Sequence, residues 1–245
     1  LTGSTEVGRQ VYHNCADTIK KITLELGGKS PLIILDDADL GVAINTALSA
    51  FLFHEGQICL SGTRVFVPRK MQDALVNGMI DKIKQMKIGN QLDPQTDLGP
   101  IASMAQLEKI MQYVEIGKKE GAELAYGGRR LTGPEYDRGF FFEPTIFANC
   151  TNQMTQVREE IFGPVQCVIP YDDEEEALAM ANDTMYGLAG GIVSTNVARA
   201  QRLASRIRTG TVFINTYHMT RADAPFGGIK QSGIGTEKGI ESLYE

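Results

Sequence analysis

Residues 31–67 read PLIILDDADLGVAINTALSAFLFHEGQICLSGTRVFV, and three patterns follow one another inside them. A short apolar, β-branched run at 31–35 gives way to a longer helical pattern over 39–57, and a second β-branched run follows at 63–67. Run length and β-branched content separate the strand readings from the helical one. The alternation continues outward. Further strand patterns fall at 21–26, 164–170, 188–194 and 211–215, and helical ones at 4–18, 70–86, 103–121, 173–183 and 196–208. Strands alternating with helices predict an α/β fold with a largely parallel, twisted sheet flanked by helices on both faces. Within 70–86, Met71, Ala74, Leu75, Met79, Ile83 and Met86 recur at helical spacing, so one face of that helix is expected to be buried. The acidic run from Asp172 to Glu176 opens its helix, where the helix dipole favours negative charge, and reads as helix entry rather than a metal site.

Composition narrows the function. A chain of 245 residues has apolar material for one large domain or two modest ones. A net charge of -6 argues against nucleic acid or an anionic membrane surface as the partner. No apolar run reaches bilayer length, and no signal-peptide pattern opens the chain. Cys15, Cys59, Cys150 and Cys167 lie far apart, which points to free thiols in a reducing, cytoplasmic setting. Three scattered histidines offer no zinc spacing. The first residue is Leu1, as though the sequence were cut from something longer. Two phosphate-loop lookalikes fail: Gly28-Lys29-Ser30 has Thr23 where the earlier glycine belongs, and Gly233-x-Gly235 has Lys238 in place of the third glycine.

Four stretches carry candidate chemistry. EGQICLSGTR (55–64) sets Cys59 between a helical run and a strand; taken alone, a free cysteine is usually a small buried hydrophobe. LELGGKSP sets Glu25 before two glycines that let other groups approach the backbone. EEIFGPV carries Glu160 and Phe162 ahead of a strand, and APFGGIKQSGIG is a glycine-rich loop after the last one. Each is weak alone. In this order, with GSTEVG, GFFFEPTIF, NDTMYGLAGGI and GTVFIN between and around them, they resemble the aldehyde dehydrogenase superfamily along essentially the whole chain.

The resemblance implies a reaction. Cys59 would attack an aldehyde carbonyl as the thiolate, and the resulting thiohemiacetal would give up hydride to a nicotinamide cofactor, NAD, with NADP as the alternative. Glu25 resembles the base that activates water to hydrolyse the thioester. Its presence favours hydrolysis over acyl transfer to coenzyme A or phosphate. Ser4 resembles a pyrophosphate contact at a helix N-terminus, with Gly3 and Leu26 beside it; Glu160 resembles the ribose-binding acid, and Phe162 packs near that ring. Ile58 and Leu60 would flank the nucleophile in the aldehyde tunnel, with Tyr217, His218 and Phe226 at its mouth. Lys230 and Gly233 resemble positions whose backbone oxygens hold a monovalent cation in some betaine aldehyde dehydrogenases; no other metal is expected.

By the same resemblance, residues 1–26 would end a Rossmann-like dinucleotide-binding domain, 27–230 would be the catalytic domain, and 231–245 would begin a C-terminal tail. The oxyanion asparagine and most of the cofactor fold would lie upstream, so the chain alone is expected to be an inactive fragment of a homo-oligomer, dimer or tetramer. A non-catalytic structural or binding relative is the competing reading; intact Cys59, Glu25 and Glu160 speak against it. A betaine-type substrate would meet no tryptophan here, because the chain has none.

Overall fold

The computed structural model describes residues 1–244. Helix α1 (Thr5–Ala16) starts at Ser4, whose hydroxyl accepts the Val7 N–H, and leads to a two-residue strand β1 (Leu24–Glu25). Strand β2 (Pro31–Ile34), helix α2 (Leu40–Leu52) and strand β3 (Arg64–Pro68) form the unit expected from residues 31–67. Helices α3 (Gln72–Ile83) and α4 (Met104–Lys119) follow, then strands β4 (Glu123–Tyr126) and β5 (Thr145–Ala148) and the one-turn helix α5 (Thr155–Arg158). Strand β6 (Val165–Tyr171), helix α6 (Glu174–Asn182), strand β7 (Ala189–Val193), helix α7 (Val197–Ala204), strand β8 (Thr211–Ile214) and strand β9 (Gly233–Ile234) complete the order.

Seven strands pair in the order β4-β5-β6-β3-β2-β7-β8, all parallel except β4 against β5. Strands β1 and β9 stand apart as an antiparallel pair, Leu24 opposite Ile234 and Glu25 opposite Gly233. Side chains alternate across the large sheet. Leu32, Ile34, Val65 and Val67 pack with α2 and α3, while Ile33, Phe66 and Ile169 pack with α4, α6 and α7. Both faces are covered, so the central strands read as continuous apolar runs.

Several expectations need correction. The strand expected over 21–26 contracts to Leu24–Glu25, which pairs with the two-residue β9 while Glu25 also bridges Thr2. The helix expected over 39–57 stops at Leu52, and a tight 3₁₀ turn (Phe53–Gly56) follows it. Strands β4, β5 and β9 are additional. β4 and β5 are four residues each, and β4 begins two residues after the helical reading of 103–121 ends. On α3, Ala74 faces solvent, whereas Gln72 and Val76 are buried; Gln72 enters the protein to donate to Asn149 Oδ1 at 2.7 Å. The acidic run does open α6. Asp173 accepts the Glu176 N–H, and Glu176 reaches back to accept from Asp172 N–H, both at 2.8 Å.

Arg64, 1% exposed, ties the sheet to α6. Its guanidinium donates to the carbonyls of Lys29 and Ala181 at 2.8 Å and of Met180 at 3.1 Å. Two of these are end carbonyls of α6, which have no partner inside the helix. Burial lowers the Arg64 pKa to about 10, still far above neutrality, so the cation persists. Arg64→Met keeps the volume but takes the guanidinium donors away from three carbonyls; it is expected to lower unfolding free energy by about 2–4 kcal/mol in urea titrations.

Candidate active site

Two glycines fix where the reactive groups meet. The chain leaving β1 passes through Gly27 and Gly28. A Cβ on Gly27 would overlap the Glu160 carboxylate, and one on Gly28 would overlap the Cys59 carbonyl oxygen. The Gly28 N–H donates to Glu160 Oε1 at 3.0 Å. Residues 132 and 31 positions downstream of Gly28 therefore press on one dipeptide that has no side chains to keep them apart.

The loop carrying Cys59 is fastened from behind. Gly62 N–H and Ser61 Oγ both donate to the Ala50 carbonyl, at 2.8 and 3.0 Å. From β6, the buried Gln166 amide donates to the carbonyls of Gly62 (2.8 Å) and Ala47 (3.0 Å). The approach is less relaxed: His54 and Glu55 sit at φ 51° and 54° in left-handed backbone. That region costs about 1–2 kcal/mol for each residue with a side chain.

Phe162 also lies in left-handed backbone, at φ 62°. Its turn is held by α4, where Gln106 Nε2 donates to the carbonyls of Ile161 and Phe162, both at 2.8 Å. The ring stays 37% exposed over a cavity of about 520 Å³. Thr2, Gly3, Ser4, Leu26, Ile58, Cys59, Glu160 and Phe162 line this cavity together with Gln57, Gln106 and Lys109. Sequence reasoning missed Thr2 and the last three. Gln106 and Lys109 share a helix face by their spacing, but only the packing of α4 on the Phe162 turn shows which way that face points.

Glu25 is placed differently. It is 4% exposed, does not line that cavity, and neither carboxylate oxygen has a hydrogen-bond partner; Oε1 lies 3.4 Å from the Cβ position of Gly227 in the glycine-rich loop. Burial, followed by the charge of Glu237, raises its pKa to about 7. Burial also raises the Cys59 thiol pKa, with Glu160 and Glu25 adding to it, so the thiol is protonated at neutral pH and needs a base to become nucleophilic. Glu160 is raised by burial as well, against the opposing pull of the Gly28 N–H.

The other expected residues spread out. Leu60 and Tyr217 are buried in the core on the α2 side, and the Tyr217 ring lies against Gly62 and Gly191. His218 Nε2 is 3.1 Å from the Ser49 carbonyl, and its ring stacks on Phe53 at 5.0 Å. Phe226 is partly buried against the edge of that core, with Lys238 Nζ 5.4 Å from its ring centre. Leu60, Tyr217, His218 and Phe226 do not line the Cys59 cavity. Lys230 Nζ donates to the carbonyls of Asn182 and Thr184, and Gly233 pairs with Glu25 across β1 and β9. Among the described residues, no cluster of three or more His, Cys, Asp or Glu side chains could hold a metal ion.

Comparison with known proteins decides the family: residues 1–245 match the Aldehyde dehydrogenase family. The chain belongs to that family. A betaine aldehyde dehydrogenase of Brucella anthropi is 45% identical over 243 residues, covering 99% of this chain and 50% of that protein. The crystal structure of betaine aldehyde dehydrogenase from Staphylococcus aureus in complex with NAD+ superposes with a TM-score of 0.97 at 44% identity, over 99% of this chain and 48% of that one. A mutant aldehyde dehydrogenase from Bacillus cereus gives 0.94 at 45% identity, over 99% and 48%. The chain thus spans about half the length of the relatives it matches.

The raised Glu25 pKa has a measurable consequence. Folded, Glu25 stays protonated up to about pH 7, whereas an ordinary carboxyl ionises from 4.5. Folding stability is therefore lost as pH rises from 4.5 to 7 and is level above that. Glu25→Gln cannot ionise. Its stability relative to the parent is expected to grow by about 1–2 kcal/mol between pH 4.5 and 8, after allowance for solvent screening, and urea midpoints at the two pH values measure it.

Proposed function

We propose that this chain is the catalytic part of an NAD-dependent aldehyde dehydrogenase that oxidises a small aldehyde to its carboxylic acid. The observation that carries the reading is the meeting of Cys59 and Glu160 on Gly27–Gly28, in a cavity that also holds Ser4 and Phe162. The residues fit a dinucleotide. Ser4 opens α1, whose free N–H groups suit a pyrophosphate; the Glu160 carboxylate and Lys109 suit ribose hydroxyls; the exposed Phe162 ring offers a face to a flat heterocycle. Gly3 and Leu26 complete that wall. NAD, when bound, accepts the hydride. NADP is the alternative that the present residues do not separate.

Within the chain, the Cys59 thiol adds across the aldehyde carbonyl, its sulfur bonding to carbon and its proton passing to the carbonyl oxygen, to form a thiohemiacetal. Loss of hydride from that carbon, with the hydroxyl proton leaving to solvent, leaves a thioester on Cys59. With its pKa at about 7, Glu25 is ionised in part of the population at neutral pH and takes a proton from water, which then attacks the thioester. The acid leaves and Cys59 is restored. Glu25 in this role favours hydrolysis over acyl transfer to coenzyme A or phosphate.

The domain reading is part of the proposal: 1–26 as the end of the dinucleotide-binding domain, 27–230 as the catalytic domain and 231–245 as the start of the tail. So are a homo-oligomeric assembly, a cytoplasmic setting, a tunnel bounded by Ile58, Leu60, Tyr217, His218 and Phe226, and a monovalent cation at the Lys230 and Gly233 carbonyls. No described helix is long and apolar enough to cross a membrane. The relatives named betaine aldehyde dehydrogenase support a betaine-type aldehyde as the first substrate to assay.

In the enzyme carrying its complete cofactor-binding half, Glu25→Gln is expected to give a burst of reduced cofactor near one per site. Steady turnover should then fall by about 10²-fold or more, because the thioester persists. Mass spectrometry should locate the acyl group on Cys59. Acylation at Cys150 or Cys167 instead, or wild-type turnover by Glu25→Gln, would overturn the assignment.

A further inference from the structure

Three consecutive residues ahead of Cys59 occupy left-handed backbone: His54, Glu55 and Gly56, at φ 51°, 54° and 68°. Glycine adopts that region freely, but histidine and glutamate do not, so the turn has to be held from outside. The hold is a carboxylate. Glu55 Oε1 accepts the Gly99 N–H at 2.6 Å, and two residues on, Gln57 Oε1 accepts the Ala102 N–H at 2.9 Å. Glu55 is half-buried, and burial raises its pKa while the Gly99 N–H pulls it back.

The segment it grips leads into the other wall of the site. Loop 99–102 runs into α4 at Ser103, whose hydroxyl accepts the Gln106 N–H, and the Gln106 side chain holds the carbonyls of Ile161 and Phe162. The backbone of Gly163 then packs on Gly56, so tightly that a Cβ there would overlap the Gly163 carbonyl. The contacts close a ring: turn 54–57, loop 99–102, α4, turn 161–163, and back to Gly56. Cys59 is attached to one side of the ring and Phe162 to the other.

We propose that Glu55 is a positioning residue whose carboxylate, bonded to Gly99 N–H, sets the Cys59 thiol against the Glu160–Phe162 wall. Hydride transfer depends on the distance between those two walls, whereas the sulfur's own chemistry does not. The proposal rests on the reading of Cys59 as the reacting group, and the test separates the two.

The experiment measures the burst rate of reduced NAD with betaine aldehyde, and iodoacetamide labelling of Cys59 resolved by peptide mass spectrometry, in the enzyme with its complete cofactor-binding half. Glu55→Ala is expected to slow the burst roughly tenfold, a loss typical of slight misplacement of reacting groups. Glu55→Gln should return it to within about twofold of the parent, since its amide oxygen accepts the same N–H, while Glu55→Asp, one methylene short, stays slow. If Glu55→Ala does not fold, the contrast between Gln and Asp decides. A parent enzyme with no burst, or whose Cys59 labelling the aldehyde fails to block, overturns the reading of the site and this proposal with it. A parent with both, but with Glu55→Ala within twofold of it or Glu55→Gln as slow as Glu55→Ala, overturns the role of Glu55 alone.

Discussion

The crossing at Gly27–Gly28 is the contact on which the rest of the site depends. Two segments distant in sequence reach it, one ending in the Cys59 carbonyl and the other in the Glu160 carboxylate, and both occupy the space where side chains would stand. The crossing also explains why β1 is so short. Its backbone must leave the β9 pairing within two residues to pass beneath both groups and enter β2. Gly28→Ala would push on the Cys59 carbonyl directly, in a loop fastened to Ala50 and to Gln166 behind it.

Burial then sets the electrostatics. Cys59, Glu25 and Glu160 all sit where water is scarce, and for each the charged form is disfavoured. The result is a site whose nucleophile rests as a thiol rather than as a standing thiolate. Beneath it, Lys29 is 1% exposed and is lowered by burial to about 8, with Arg64 on one side and the Glu160 charge on another. Its backbone carbonyl, meanwhile, is one of the acceptors for Arg64, so the floor of the site and the end of α6 are one hydrogen-bonded unit.

Much of this was readable in the sequence. The central strands β2, β3, β6 and β7 are buried on both faces, so apart from Arg64 and Gln166, whose polar ends donate to backbone carbonyls, their residues are mostly apolar or small and the run is visible without a partner. β4 and β5 escaped; β4 is the edge strand, mostly half-exposed and without alternation. The end of α2 escaped for another reason: Phe53, His54 and Glu55 are acceptable helix residues, and what bends them is the Gly99 N–H and the Gly163 backbone, neither of which is local.

Cys59, Glu25, Glu160 and Phe162 could be named from the sequence because the stretches that carry them, each weak alone, occur together in an order that resembles the aldehyde dehydrogenase family. Gln57, Gln106 and Lys109 could not. They are ordinary polar residues on a turn and a helix, and they belong to the site only because α4 docks on the turn that carries Phe162. The sequence alone determined the order of strands and helices and the residue types available for chemistry, since both follow from local pattern. Only the tertiary structure decided which of those residues share a cavity, that Glu25 stands behind its wall rather than in it, and that three raised pKa values arise there. Distance and dehydration are properties of the packed chain, and no local stretch contains them.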